Sequence, residues 1–433
     1  HVDMGQSPDF VKLAEAYGAT GLRLTSKETL VDDRRAAIAT EGPVVVDIRV
    51  TAAEGQLKVL FLTDSPITVS GGSERFLRNL VNGLPQERFA INVVQLCDEP
   101  PRTARVHEAS ITSQINLEYL PCGAVYGRSG MRAYRMLRHR VLREGFHVIQ
   151  SQHENADVIS ALLPRGPLNA IRISNRRDTG FLKSAKLRFA SRLLNHRYDR
   201  ILAPSPAVLD AVAASERAPR SRMLCIPNGV DTARFRPNAV AHQHLRAQFD
   251  LASDALLIGC VADLFAVKRH LDLVDAFAQL HGEFPQAHLL LIGEGPLRGA
   301  IETRMRDLRI GDRVHLLGSR RDVDALLPAL DVFVLASDTE GLSNAILEAQ
   351  ACGLPVIATH VGGNPDLVDD DCGALVPARD PDAMAEAMRA LLRNPDLRKR
   401  MGTAARTRVV RNHSLDSMTQ AYASLYHELA HAR

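Results

Sequence analysis

Short apolar runs rich in Val, Ile and Leu recur roughly every 20 to 35 residues, with stretches of helical spacing between them. The first series is Lys58–Thr63, Ile91–Leu96, His147–Gln152, Ile171–Ser174, Arg200–Ala203 and Met223–Ile226. A second follows at Leu256–Ala262, His288–Ile292, Val314–Leu317, Val332–Ala336, Pro355–Thr359 and Ala374–Val376. Runs apolar throughout, not alternating, are the mark of parallel strands covered by helices on both faces. Strand and helix in alternation predict an α/β, doubly wound architecture. Two such series predict two Rossmann-like domains instead of one very wide sheet. The break lies near Phe235–His244, where Arg236-Pro237-Asn238 interrupts the pattern after a turn at Asn228-Gly229. Beyond Val376 the spacing is helical, over Pro381–Arg393, Pro395–Val409 and Leu415–His431.

The first 56 residues keep a different rhythm: helix at Asp9–Tyr17, strand at Gly21–Leu24, helix at Lys27–Thr40, strand at Pro43–Val50. The stretch Pro8-Asp9-Phe10-Val11-Lys12-Leu13-Ala14-Glu15-Ala16-Tyr17-Gly18-Ala19, continued in register by Gly42-Pro43-Val44-Val45-Val46-Asp47, resembles the C-terminal end of acetolactate synthase and related thiamine-diphosphate enzymes. In that family the magnesium-binding motif, a Gly-Asp-Gly with a distant Asn, lies upstream of this piece and is absent here. The resemblance therefore implies an extra N-terminal α/β fragment over residues 1–56, a non-functional relic without thiamine chemistry.

Composition narrows the function classes. The 433 residues suffice for two or three domains, and an apolar share of 45% supports a sizeable core. Lys plus Arg number 53 against 50 Asp plus Glu, a net charge of +3, too balanced for a dedicated nucleic-acid binder. Cys97, Cys122, Cys225, Cys260, Cys352 and Cys372 are scattered without a Cys-x-x-Cys pair, which speaks against a zinc site or disulfide scaffold and for a reducing compartment. No apolar run approaches the ~18 residues of a membrane span, and no signal-peptide pattern is visible in a chain that opens with His1. The expectation is a soluble, cytoplasmic, multi-domain protein with no bound metal.

Two segments carry candidate chemistry. Gly71-Gly72-Ser73-Glu74 follows the strand at Lys58–Thr63 and opens a helix expected over Arg75–Leu84. Glycines there let a backbone approach a ligand, and helix N-terminal amides attract phosphate, although two glycines before a helix are often only a turn. The second segment runs from Glu340-Gly341-Leu342-Ser343-Asn344-Ala345 through Glu348 to Cys352-Gly353-Leu354-Pro355, after the strand at Val332–Ala336. Ser343 is the expected N-cap of a helix over Asn344–Cys352. Glu340 falls at the carboxyl end of a strand, where open α/β sheets bind ligands, and Glu348 lies just over one turn into the helix. Two carboxylates thus bracket a helix N-terminus able to take a phosphate, an arrangement suited to a sugar nucleotide.

The Glu-x7-Glu frame resembles the donor-binding motif of retaining GT-B glycosyltransferases of family 4, over about Lys58 to Leu425. Further matching pieces are Gly71-Gly72-Ser73-Glu74, Ile226-Pro227-Asn228-Gly229-Val230-Asp231, Leu291-Ile292-Gly293-Glu294-Gly295-Pro296-Leu297 and Val361-Gly362-Gly363-Asn364-Pro365-Asp366. The resemblance implies a GT-B fold, two Rossmann-like domains facing a cleft: an acceptor-side domain over 57–235, a nucleotide-sugar donor domain over 236–415, and a C-terminal helix, 416–433, crossing back to the first domain. It implies hexosyl transfer from a nucleotide-diphosphate sugar to an acceptor hydroxyl, with retention and with neither cofactor nor metal. Glu340 would hold donor-sugar hydroxyls and Glu348 the ribose diol. Leu342, Ser343, Asn344 and Ala345 would meet the diphosphate, with Gly71 and Gly72 opposite. His153, in a stretch where Gln150 replaces the first His of the family's His-x-His, would lie beside the transferred sugar. Lys268 matches one of two phosphate-gripping cations. Asp263 and Phe265 stand where Arg or Asn, then Arg, would be expected, an Asp beside a diphosphate is repulsive, and Arg269 is a candidate substitute.

The same domain carries basic stretches. Arg128, Arg132, Arg135, Arg138, Arg140 and Arg143 alternate with Met131, Tyr134, Leu137 and Val141, and Lys183, Lys186, Arg188, Arg192 and Arg197 accompany Phe181, Leu182, Phe189, Leu193 and Leu194. Two readings stand: a core stripe with a solvated basic face, or helices lying on an anionic membrane surface. The partners expected are a nucleotide sugar, a glycan or lipid-linked acceptor and the inner face of a membrane, with no nucleic acid. A non-catalytic sugar-nucleotide binder and a sugar-nucleotide 2-epimerase remain as alternatives.

Overall fold

The computed structural model describes residues 14, 16–24, 42–48, 56–68, 71–97, 115–180 and 183–432. The helix expected over Asp9–Tyr17, apart from residues 14, 16 and 17, and the one over Lys27–Thr40 lie outside the described residues, as do Phe181 and Leu182. The chain divides into two compact units, His1–Leu57 and Lys58–Arg433. In the first, β1 (Thr20–Leu24) and β2 (Val44–Ile48) pair in parallel, Thr20 opposite Val44 through Leu24 opposite Ile48.

The second unit holds two parallel sheets. Its first sheet comprises β3 (Leu57–Thr63), β4 (Phe89–Gln95), β5 (Asn116–Tyr119), β6 (Val148–Gln152), β7 (Ile171–Asn175), β8 (Arg200–Ala203) and β9 (Met223–Cys225), in the order β5-β4-β3-β6-β7-β8-β9. The other comprises β10 (Leu256–Val261), β11 (Ala287–Ile292), β12 (Val314–Gly318), β13 (Val332–Leu335), β14 (Val356–Thr359) and β15 (Gly373–Val376), ordered β12-β11-β10-β13-β14-β15. In each, the chain starts in the middle, works outward to one edge, then crosses to build the other. That crossover opens a crevice at the strands' carboxyl ends. Each expected strand from Lys58 onward is present, and β5 is an addition: four residues, at an edge, with no buried position to give an apolar run. The fold is GT-B.

Interior strands are buried along their length: all five residues of β6 and all six of β11 are buried, as expected with helices on both faces. The helices that bear on the site and its surroundings are α1 (Gly72–Gly83), α2 (Arg128–Glu144), α3 (Glu154–Leu162), α4 (Ala185–Leu194), α5 (Pro206–Glu216), α6 (Asn344–Ala351) and α7 (Leu415–His431). α1 begins three residues before the expected Arg75, because Gly71 in extended conformation caps it and the glycine motif itself supplies the first turn. α7 packs against α1, beside the first sheet and not the second, which precedes it in sequence. Its buried Tyr422 hydroxyl receives a hydrogen bond from Asn175 Nδ2 at 3.0 Å, and Tyr426 donates to Gln150 Oε1 at 2.8 Å. Both rings pack edge-on or tilted against Phe61, Phe76 and Phe89. Gln150, standing where the related family has a His, is therefore an anchor for this helix.

Candidate functional site

The cleft between the two sheets' carboxyl ends holds a cavity of about 380 Å³. Gly71, Gly72, His153, Lys268, Glu340, Leu342, Ser343, Asn344, Ala345 and Glu348 all line it, so one cavity gathers residues spread over 278 positions, from 71 to 348.

Its floor is the loop from β13 into α6. Ser343 caps α6, its hydroxyl accepting from Ile346 N at 3.3 Å, which leaves the helix start facing the cavity with the positive end of its dipole. Glu340 Oε1 accepts from Ser337 Oγ and from Lys268 Nζ, each at 2.6 Å. The loop is pressed into shape by the glycine turn after β14. Gly362 has φ +52°, and a Cβ there would fall 1.7 Å from Glu340 O. Only glycine meets both conditions.

Glu348 is buried, 3% exposed, and its Oε1 is paired with Arg75 of α1, across the cleft. Its Oε2 has no hydrogen-bond partner among the described residues. Burial pushes the carboxyl above its ordinary value, and the Arg75 guanidinium opposes that shift. Other contacts also bridge the cleft. Asn344 Nδ2 donates to Gly72 O at 3.0 Å, Ser205 Oγ to Gly341 O at 2.7 Å, and Asn228 Nδ2 to Leu342 O at 3.1 Å and Asn344 Oδ1 at 2.8 Å.

His153 is the N-cap of α3 with φ +74°, a conformation costly for a residue with a Cβ and often found where function fixes a side chain. Its ring is held at both ends, Nδ1 3.1 Å from Thr63 Oγ1 and Nε2 2.9 Å from Ser73 Oγ. Burial lowers its pKa, with Glu74 opposing, so the imidazole is neutral at pH 7. Asp64, at the end of β3, accepts from Asn155 N and Ala156 N at 2.8 and 2.7 Å, and burial raises its carboxyl to about 7.

Asp263 is exposed and lines the cavity, while Phe265 is 52% exposed and lies off it. Arg269, the candidate substitute, does not line the cavity. Its φ is +52° and its guanidinium forks onto Asp272 at 2.8 and 2.9 Å, with Asp338 at 4.0 Å. The cavity instead has cations that the sequence reading did not single out: Arg75, Arg177 and Arg320. Arg177 lies 3.6 Å over the Phe76 ring and bonds Asn228, and burial lowers it to about 10. Arg320 forks onto Asp322 at 2.8 and 2.6 Å. Arg177 and Arg320 follow the ends of β7 and β12, so inspecting the residues after every expected strand would have found them. With Lys268, four cations line the cavity, against four carboxylates: Asp178, Asp263, Glu340 and Glu348.

Residues 242–408 match the family model for glycosyl transferases group 1, residues 70–234 that for glycosyltransferase family 4, and residues 1–48 the C-terminal TPP-binding domain of thiamine pyrophosphate enzymes. Among curated relatives, the N-acetyl-alpha-D-glucosaminyl L-malate synthase of Bacillus anthracis is 32% identical over 43% of this chain and 49% of its own. A GDP-mannose-dependent alpha-(1-6)-phosphatidylinositol monomannoside mannosyltransferase of Mycolicibacterium smegmatis is 33% identical over 45% and 53%. The chain thus spans about half the length of the curated relatives it matches. In fold it resembles Anabaena HepE, solved with UDP, at TM-score 0.75 and 20% identity over 86% of this chain and 100% of that one. Sucrose-phosphate synthase from Thermosynechococcus elongatus matches at TM-score 0.75 and 22% identity, over 87% and 100%. Two glycosyltransferase family models thus match in tandem, one on each side of the cleft described, and residues 70–408 resemble the GT-B glycosyltransferases of family 4.

Proposed function

We propose that this chain is a retaining glycosyltransferase that moves a sugar from a nucleoside diphosphate sugar to the hydroxyl of a glycan or lipid-linked acceptor. The observation that carries the reading is the pair Glu340 and Glu348 flanking the start of α6, with Gly72 of the opposite domain facing the same cavity. Glu348 receives the ribose diol, the helix start receives the diphosphate, and Glu340 receives hydroxyls of the sugar. HepE, of the same fold, was solved with UDP, and a mannosyltransferase relative is GDP-mannose-dependent, which supports a sugar nucleotide as donor.

In the reaction the bond from the anomeric carbon to the diphosphate oxygen breaks, its electron pair staying on that oxygen. The acceptor hydroxyl oxygen bonds to the anomeric carbon on the same face, and its proton passes to the departing phosphate oxygen. Lys268 and the α6 dipole stabilise the charge that develops, fixed groups aimed at the leaving oxygen. His153, neutral and held by Thr63 and Ser73, sits beside the sugar and orients it. No metal or cofactor takes part in this scheme. Among the described residues no helix is long and apolar enough to cross a membrane, and the basic faces of α2 and α4 bring the acceptor side to an anionic membrane surface.

A panel of UDP- and GDP-sugars, with nucleotide release measured with and without acceptor and with and without EDTA, tests the scheme. It requires acceptor-stimulated release that the chelator leaves unchanged. Nucleotide binding without release would favour a non-catalytic binder, the reading that Asp263 and Phe265 suggest. Isomerised sugar nucleotide without acceptor would favour an epimerase.

A further inference from the structure

We infer that Arg75, from the acceptor-side domain, is the second cation for the donor's diphosphate and reaches it by exchanging Glu348 for phosphate as the donor enters. The inference rests on the proposed function and concerns a residue that the family's gripping pair does not include.

Charge is the first argument. The lining of the cavity is balanced, cation for carboxylate, so a diphosphate adds negative charge that existing pairs must rearrange to meet. Availability is the second. Arg320 is clamped by Asp322, and Arg177 is stacked on Phe76 and tied to Asn228. Arg269 is turned onto Asp272. Among the described residues the Arg75 side chain has one hydrogen-bond partner, Glu348, and it is 35% exposed. Position is the third. Arg75 lies on the first turn of α1, three residues after Gly72, and already spans the cleft to a carboxylate just over one turn into α6, in the cavity that the α6 N-terminus also lines.

The exchange is built into Glu348. One of its oxygens is on Arg75 and the other is buried without a hydrogen-bond partner among the described residues, so the group is poised to accept two donors at once. A vicinal diol supplies both. Its arrival satisfies the orphan oxygen and displaces the guanidinium, whose five N–H donors suit phosphate oxygens better than a lysine would. The cation displaced by the ribose is thereby delivered to the phosphates one step along the same ligand.

The test compares calorimetric affinities of UDP and GDP with those of uridine and guanosine, for the parent, Arg75→Ala and Arg75→Lys, with melting temperatures as a control on folding. Arg75→Ala should weaken the preferred diphosphate by on the order of tenfold to a hundredfold, as for loss of hydrogen bonds to a charged group. Affinity for the matching nucleoside should hold or rise, because Glu348 is released, and Arg75→Lys should restore part of the diphosphate affinity. If both ligands weaken alike, Arg75 only positions Glu348. If both tighten, it is only a latch. Either result overturns the inference while leaving the donor reading intact. A parent that binds neither UDP nor GDP overturns both.

Discussion

Lys268 faces a carboxylate at 2.6 Å, and that carboxylate, Glu340, is also held by Ser337. The pair is partly open to water, so its contribution to folding is small, within about 1 kcal/mol. In the proposed reaction it would matter more, because a cation beside the leaving diphosphate acts more strongly in the transition state than in the ground state. Lys268→Ala should lower kcat by on the order of 10²-fold, comparable to the loss of one oxyanion donor, with little change in melting temperature. Asp263, exposed on the cavity wall, should act in the opposite sense, and Asp263→Arg should raise kcat/KM. Steady-state kinetics of the two single variants and the double variant check both, since residues that share a partner are non-additive. A neutral Asp263→Arg beside a severe Lys268→Ala would mean that Asp263 does not face the phosphates. The residues legible in the sequence were those inside local motifs, because Glu340, Ser343 and Glu348 are placed by one loop and one helix. Arg75 stood next to a motif, yet its partner lies 273 positions away, and no local periodicity reports such a pairing.

At the level of elements, strands were readable because parallel strands are apolar throughout. The exception, β5, is short, partly polar and paired on one side only. What the pattern did not supply was how loops meet across the cleft, where positions without a side chain count beside the side-chain bridges. A Cβ on Gly341 would lie 2.1 Å from Arg177 O, in the opposite domain. One on Gly362 would strike Glu340 O, within its own domain, at positive φ. The two glycines therefore differ in consequence. Gly341→Ala should leave the melting temperature near that of the parent and lower kcat/KM at least about tenfold, because the clash is relieved only by parting the domains. Gly362→Ala should cost about 1–3 kcal/mol of stability, because a strained φ and a backbone clash have no such relief. Denaturant midpoints measured beside the kinetics separate them. If Gly341→Ala loses stability as much as Gly362→Ala does, the cleft contact is part of the folded core and does not yield by parting.

Taken as a whole, the second unit is uneven in charge and in apolar exposure, although the chain's net charge is only +3. The core-stripe reading holds for Leu137 and Val141 on α2, which are buried, and fails for Met131, 52% exposed. On α4 it fails more broadly. The buried residue there is Ser191, while Phe189 and Leu193, one turn apart, stand outward at 61% and 56% exposure. Lys186, Arg188 and Arg192 share the exposed surface, and the helix contains no acidic residue. A helix that turns apolar side chains outward among cations suits the interface of an anionic bilayer, where each Lys or Arg is worth about 1 kcal/mol near the surface and the apolar pair adds burial. Sedimentation with vesicles should therefore show binding to phosphatidylglycerol-rich membranes, weak binding to phosphatidylcholine alone, and loss as ionic strength rises past the screening range. Phe189→Ser with Leu193→Ser should weaken binding even at low salt, while nucleotide release with a soluble acceptor stays at the parent level. Charge reversal at Lys186, Arg188 and Arg192 should abolish the preference for anionic lipid. Equal binding to both vesicle types, or an unchanged affinity in the double serine variant, would show that α4 is not the contact and leave its outward face without this role.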